Sequence, residues 1–131
     1  MADYRKLRAF ELAQQLSEDV HALAPSIPAR RAPGLRAQLC RAAASVPANI
    51  AEGAAQESQA HFARFLSIAQ GSVQEVAVHL SLARSVGGPA VNELHRCEDH
   101  ARLVGAMLSK LIARIRENEA RAEQERRTTG R

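Results

Sequence analysis

From Phe62 to Ala83 an apolar residue recurs at alternating steps of four and three: Phe62, Leu66, Ala69, Val73, Val76, Leu80 and Ala83. That spacing stacks side chains on one face of an α-helix, whereas a strand repeats every two residues. A second seam, Leu94, Cys97, Ala101, Val104, Leu108, Leu111 and Ile115, runs for three heptads. Two seams of this length need apolar partners, and the rest of the chain supplies them. Ala9, Ala13, Leu16, Val20 and Leu23 form one further face, and Leu35, Leu39, Ala42, Val46 and Ile50 another.

Punctuation sets the boundaries. Asp3 is a candidate N-cap for the first helix, and Pro25 and Pro28 stop it. Pro33 suits the first turn of the second helix, Pro47 predicts a kink inside it, and Gly53 can close it. Ser58 is a candidate N-cap for the third helix, Gly87-Gly88 ends it, and Pro89 or Asn92 starts the fourth. The expectation is an all-α fold in residues 1–117, with helices over 3–24, 33–54, 58–86 and 89–117. Short connections predict an antiparallel up-down-up-down four-helix bundle. Beyond Glu117 the large apolar residues end, so the charged tail 118–131 is expected to be frayed helix or disordered.

Composition agrees. With only 131 residues, one domain is expected. Threonine occurs only at Thr128 and Thr129, which disfavours β architectures. Alanine fills 26 positions, which lets helices approach closely but buries little surface per residue. The chain is therefore expected to gain stability by oligomerising. Ile68, Gly71, Val78 and Leu82 form a second apolar line on the third helix and are the candidate subunit interface. Gly71 in mid-helix costs about 1 kcal/mol relative to alanine, which predicts close packing there. There is no run of 18 apolar residues, the N-terminal segment Met1–Phe10 is charged where a leader would be apolar, and there are two cysteines. A cytoplasmic protein without a membrane span or disulfide framework is expected.

The net charge is +4, and 16 of the 18 basic residues are arginine. Between Asp19 and Glu52 there is no acid, while Arg30, Arg31, Arg36 and Arg41 lie there. A basic field of this kind favours a polyanion. Arg30, Arg31 and Arg36 are the first candidates for phosphate contacts, with Arg114 and Arg116 second because glutamates surround them. Base stacking is not expected, because Phe62 and Phe65 lie at or beside a core seam and Tyr4 is near the terminus.

Catalytic and metal chemistry find little support. A di-metal bundle site needs two Glu-x-x-His pairs, and only Glu18/His21 has that spacing. Cys97 and His100 are three apart, but Cys40 is the one other thiol and Cys97 falls on the core seam. No phosphate loop, nucleophile elbow or zinc-protease motif occurs. His95/Asp99, an i, i+4 pair, needs no function to explain it. No enzyme, cofactor, metal or small-molecule substrate is therefore expected.

A polar ladder on the second helix, Gln38, Arg41, Ser45, Asn49 and Glu52, has helical spacing and faces the question of its partners. Glu75 on the third helix is the candidate partner, with Arg41 and Glu75 as an ion pair. Breaking a covered pair costs about 3–5 kcal/mol, so Arg41→Ala is expected to lower thermal stability clearly more than Arg31→Ala.

The run from Gly34 to Gly53, GLRAQLCRAAASVPANIAEG, resembles the signature of the four-helix-bundle proteins encoded in intervening sequences of 23S ribosomal RNA genes. The run from Phe65 to Val76, FLSIAQGSVQEV, resembles that family's third-helix motif, and Leu7, Phe10 and Ala13 fit its looser first-helix pattern. The resemblance is specific over residues 34–76 and weak in the fourth helix. It departs at Ala54-Ala55, where an aromatic commonly follows the Glu-Gly pair, and at Arg30-Arg31, where an acid is common. The resemblance implies a ring-like homopentamer. It also implies kinship in fold with the accessory variability determinant proteins of diversity-generating retroelements, which bind a reverse transcriptase and nucleic acid without catalysis.

Together these point to a non-catalytic accessory protein that binds structured RNA and a protein partner, such as a retroelement reverse transcriptase. The alternative is an oligomeric protein scaffold of the intervening-sequence type with no nucleic-acid binding.

Overall fold

A computed structural model of the chain describes residues 4–130, and for Tyr4 and Arg5 the backbone alone. Four helices follow in order: α1 Tyr4–Leu23, α2 Leu35–Ala54, α3 Gln59–Val86 and α4 Val91–Thr128. A 3-10 turn, Ala24–Ser26, trails α1, and no strand occurs among the described residues. The proposed N-cap Asp3 lies outside those residues.

Each helix packs on two neighbours. α2 sits between α1 and α3, and α4 closes the square between α3 and α1. Named contacts fix the directions. Ser45 of α2 donates a short hydrogen bond to Ser72 of α3, and further along α2 Gly53 abuts Phe62 and Phe65. Numbers rise on one helix as they fall on the other, so the pair is antiparallel. Gln70 of α3 donates to the Gly105 carbonyl of α4 at 3.3 Å, and Arg84 pairs with Glu98 at 2.6 Å, the same opposed progression.

The four periodic faces all point inward. Every residue of the seams on α3 and α4, and of the apolar faces of α1 and α2, is buried. Ile27, from the α1–α2 loop, is fully buried as well and plugs one end of the core. Ala43, Ala63 and Ile112 widen the core beyond the seams.

Local chemistry shifts some boundaries. Gly34 adopts φ +84°, a left-handed turn that delays α2 to Leu35 and leaves Pro33 outside the first turn. α2 runs through the buried Pro47, which has no N–H for the carbonyl of Ala43. Gly53 lies inside the last turn of α2, so its role is close packing. A Cβ there would sit 2.6 Å from the Phe65 Cβ and 2.9 Å from the Phe62 ring. Ser58 caps α3 as its sequence position implies, accepting from the His61 N–H at 3.1 Å.

The tail departs most from the sequence reading. α4 continues as helix to Thr128, where frayed helix or disorder was expected beyond Glu117. Ile115 is its last buried residue. The next 13 residues extend about 20 Å past the core. Ion pairs of Glu123 with Arg126 at 2.7 Å and with Arg127 at 3.5 Å run along this extension. The Arg126 guanidinium, with Arg127 second, holds the Glu123 carboxyl below its ordinary pKa. Such pairs three and four residues apart, with strong helix formers, substitute locally for tertiary contacts.

Gly53→Ala is expected to destabilise the fold by about 1–3 kcal/mol, the usual cost of overpacking a filled site. Urea denaturation followed by circular dichroism measures it. A midpoint at or above that of the natural chain would contradict this packing.

Candidate functional site

The basic candidates fall into two groups at opposite ends of the helices. Arg30 and Arg31 occupy the α1–α2 loop and Arg36 the first turn of α2, beside the α3–α4 loop. Arg114 and Arg116 lie near the far end of the packed part of α4. From Val91 to Arg114 the helix rises about 35 Å. The five arginines therefore do not form one patch.

Two of the loop arginines also hold the fold. Arg31 Nη1 donates to the Val86 carbonyl at 2.8 Å, satisfying one of the open carbonyls at the end of α3. Arg36 Nε donates to the Ile27 carbonyl at 2.6 Å and ties the loop to α2. Both side chains remain exposed, and each keeps further N–H donors outward. Next to them the α3–α4 loop turns through Gly87 and Gly88, at φ +92° and +111°. A Cβ on Gly88 would approach the Ser26 carbonyl oxygen to 2.3 Å, so the two loops meet backbone to backbone. α4 contributes both Glu93 and Arg96 near this end.

The polar ladder on α2 is only partly a network. Ser45 reaches Ser72 across the helix contact, and Asn49 Nδ2 returns to the Ser45 carbonyl of its own helix at 2.8 Å. The expected Arg41–Glu75 ion pair is not formed. Arg41 is exposed and makes no side-chain hydrogen bond or ion pair among the described residues. Glu75 is 65% exposed and lies 4.0 Å from His79 Nε2 on its own helix. Glu52 is exposed too. The reason is geometric: Arg41 and Glu75 lie on the rims of a shared groove instead of meeting between the helices. That groove has a volume of about 410 Å³ and is lined by Gln38, Arg41, Ala42, Ser45, Glu75 and His79. The i, i+4 spacing of Glu75 and His79 places both on one side of α3 and implies an ordinary contact within that helix, which is the contact the structure shows.

The remaining pairs are structural. His100 Nδ1 stands 2.7 Å from Asp19 Oδ2 and links α4 to α1 as an ion pair when the imidazole is protonated. The approach lies off hydrogen-bonding alignment, and neither atom has another partner. Asp19 also accepts from Gln15 at 3.0 Å. Cys97 is buried, and burial, with the Asp19 carboxylate second, pushes its thiol up to about 11. Burial also raises the pKa of Cys40. Asp99 pairs with Arg102 instead of His95. Among the described residues no three His, Cys, Asp or Glu side chains converge as a metal site. No helix among them is long and apolar enough to cross a membrane.

The candidate interface line remains open. Ile68, Val78 and Leu82 are 49%, 59% and 49% exposed on the outer side of α3, and a Cβ on Gly71 would meet nothing within 4 Å. The close packing expected at Gly71 does not exist within the protomer.

Fold and surface together define an all-α protein of four antiparallel helices, with a basic loop at one end and an open apolar line on α3. The model of the 23S rRNA-intervening sequence protein family matches residues 5–110. The chain belongs to that family. The matched segment stops short of the α4 extension. No curated protein matches the chain.

These contacts reverse the stability order expected from sequence. Arg31→Ala is expected to cost about 1 kcal/mol through its lost hydrogen bond to a helix-end carbonyl. Arg41→Ala should stay within about 0.5 kcal/mol of the natural chain. Thermal melts of the two variants side by side decide it, and a lower melting temperature for Arg41→Ala would restore the ion-pair account.

Proposed function

We propose that the protein is a non-catalytic accessory factor, assembled as a ring-like homopentamer, that binds structured RNA and a protein partner. By its resemblance to the accessory variability determinant proteins, that partner is the reverse transcriptase of a diversity-generating retroelement and the RNA its template. The observation that carries the RNA part is the arginine-bearing loop at one end of the helices. Arg31 and Arg36 are each anchored by one hydrogen bond and exposed beyond it, so less side-chain freedom is lost on binding. Arg30 stands beside them, and no acid interrupts the sequence between Asp19 and Glu52. A ring repeats the loop around its axis, and five copies of a +4 chain carry about +20 in total. Recognition is then arginine to phosphate and follows RNA shape.

The assembly part rests on Ile68, Val78 and Leu82. Three large apolar side chains at helical spacing, each about half exposed, favour cover by another copy. A contact between two different faces, repeated by rotation, closes into a ring. In that contact Gly71 allows the neighbour's backbone to approach.

Fluorescence anisotropy with a structured RNA and a matched duplex DNA, across a salt series, tests binding. Log affinity is expected to fall linearly with log salt, and Arg30→Ala/Arg31→Ala to weaken binding and flatten that slope. No binding at low salt would sink the RNA reading and leave the protein-scaffold alternative.

Sedimentation velocity tests the assembly. Leu82→Glu should yield a folded protomer, and Gly71→Ala should weaken the oligomer although alanine favours helix by about 1 kcal/mol. An oligomer indifferent to both variants would place the interface elsewhere.

A further inference from the structure

The line on α3 is not the only apolar surface that the bundle leaves open. On α4, Leu103 is 46% exposed and Met107 is half-buried. Beside them Met107, Lys110, Leu111 and Arg114 line a groove of about 260 Å³. Leu103, Met107, Lys110 and Arg114 are spaced by four, three and four, which puts them on one outward strip of the helix.

The two surfaces are opposite in charge. Between Arg64 and Arg84 the one formal charge on α3, with His79 neutral, is Glu75, which is 65% exposed. Between Asp99 and Glu117 α4 carries no acid, and its bases include Lys110 and Arg114. Neither of these two makes an ion pair among the described residues. The surfaces also match in level along the bundle. Gln70 of α3 donates to the Gly105 carbonyl and the Ser109 hydroxyl of α4, and Arg84 pairs with Glu98. Because the helices are antiparallel, these contacts set Ile68 level with the groove, Gly71 level with Ala106, and Val78 level with the turn before Leu103.

We propose that the α4 strip of one protomer receives the α3 line of the next, with Ile68 seated in the groove of Met107, Lys110, Leu111 and Arg114 and Val78 covering Leu103. This rests on the assembly reading above and supplies its other half, the second of two different faces. α3 and α4 occupy neighbouring corners of the square, so their outward strips diverge by about a right angle. Each added copy is therefore turned relative to the last, and turned copies close into a ring where parallel ones extend as a filament. Rotation about an axis along the bundle leaves levels unchanged, so residues level within one protomer are level between two. Gly71 then faces Ala106, and the two backbones approach closely. Glu75 enters a stretch of α4 that has bases and no acid. Exposed charges of this kind select which faces meet, while the covered apolar side chains supply most of the affinity. Arg114 is thereby used between subunits, and the phosphate contacts stay with Arg30, Arg31 and Arg36.

Sedimentation velocity of the full chain and of mixed variants tests the pairing. Ile68→Glu and Leu103→Glu are each expected to give protomers, one by spoiling the α3 line and the other by spoiling the α4 strip. Both sites are about half exposed, so both variants fold, and circular dichroism checks that. Mixed in equal amounts, the two variants should form a dimer and nothing larger, because one contributes an intact α4 strip and the other an intact α3 line. Lys110→Glu/Arg114→Glu should weaken assembly of the natural chain about two- to fivefold or more at low salt, less at high salt, and Glu75→Lys in the same chain should restore part of it. An oligomer that Ile68→Glu dissociates and Leu103→Glu does not would overturn the pairing and leave the α3 interface standing. Two monomeric variants that form no dimer on mixing would overturn it as well. A natural chain that stays monomeric at all concentrations would sink both this pairing and the assembly reading.

Discussion

Close approach of α2 and α3 is the constraint on which the rest depends. Gly53 lets the end of α2 lie directly against Phe62 and Phe65, the two rings that open α3. Phe62 is fully buried, and Lys6 of α1 lies 4.8 Å above its ring. This corner therefore joins three helices at once. Further along, Ser45 and Ser72 meet where larger residues would force the helices apart. The alanines at 42, 43, 63 and 69 continue the same close spacing. With the α2–α3 angle and distance set in this way, α1 and α4 fill the other two sides of the square. The same contact leaves a polar groove along its outer edge and turns the open apolar line of α3 outward.

Periodicity made the interior legible. Each seam residue read at steps of three and four is buried, because helical geometry converts spacing directly into a face. The exposed line of Ile68, Val78 and Leu82 was legible for the same reason, as a second face on a helix too apolar to be one-sided. What spacing does not carry is reach. Arg41 and Glu75 have the right helices and sides to pair, yet their side chains end on separate rims of a groove. Arg31 looked like a free surface charge, but it spans the gap between loops to a carbonyl 55 residues away. A tertiary hydrogen bond to a backbone atom has no sequence signature. The buried Ile27 was hidden among prolines for a similar reason, since a loop has no period to read.

The α4 extension shows a different limit. Loss of apolar residues after Ile115 correctly marks the end of the core, but not the end of the helix. Helix stability beyond the core depends on propensity and on charge pairs one turn apart, and the segment Arg116–Thr128 has both. The elongation also lies outside the stretch matched by the family, residues 5–110. Its mixed charge is spread along the helix without a basic face.

Position along the helix axis separates the basic loop from the open apolar line. The basic loop lies at one end, where Arg31 and Arg36 are fixed to carbonyls and spare donors face outward. The open apolar line runs along the side of α3, so a copy covering it leaves the end loops free. In a ring built through that side, identical arginine loops would come to the same rim. A contact through the ends would instead bury the arginines against another protomer and remove the field. In the side-on assembly proposed above, the apolar line would be covered and the basic loop would remain in solvent.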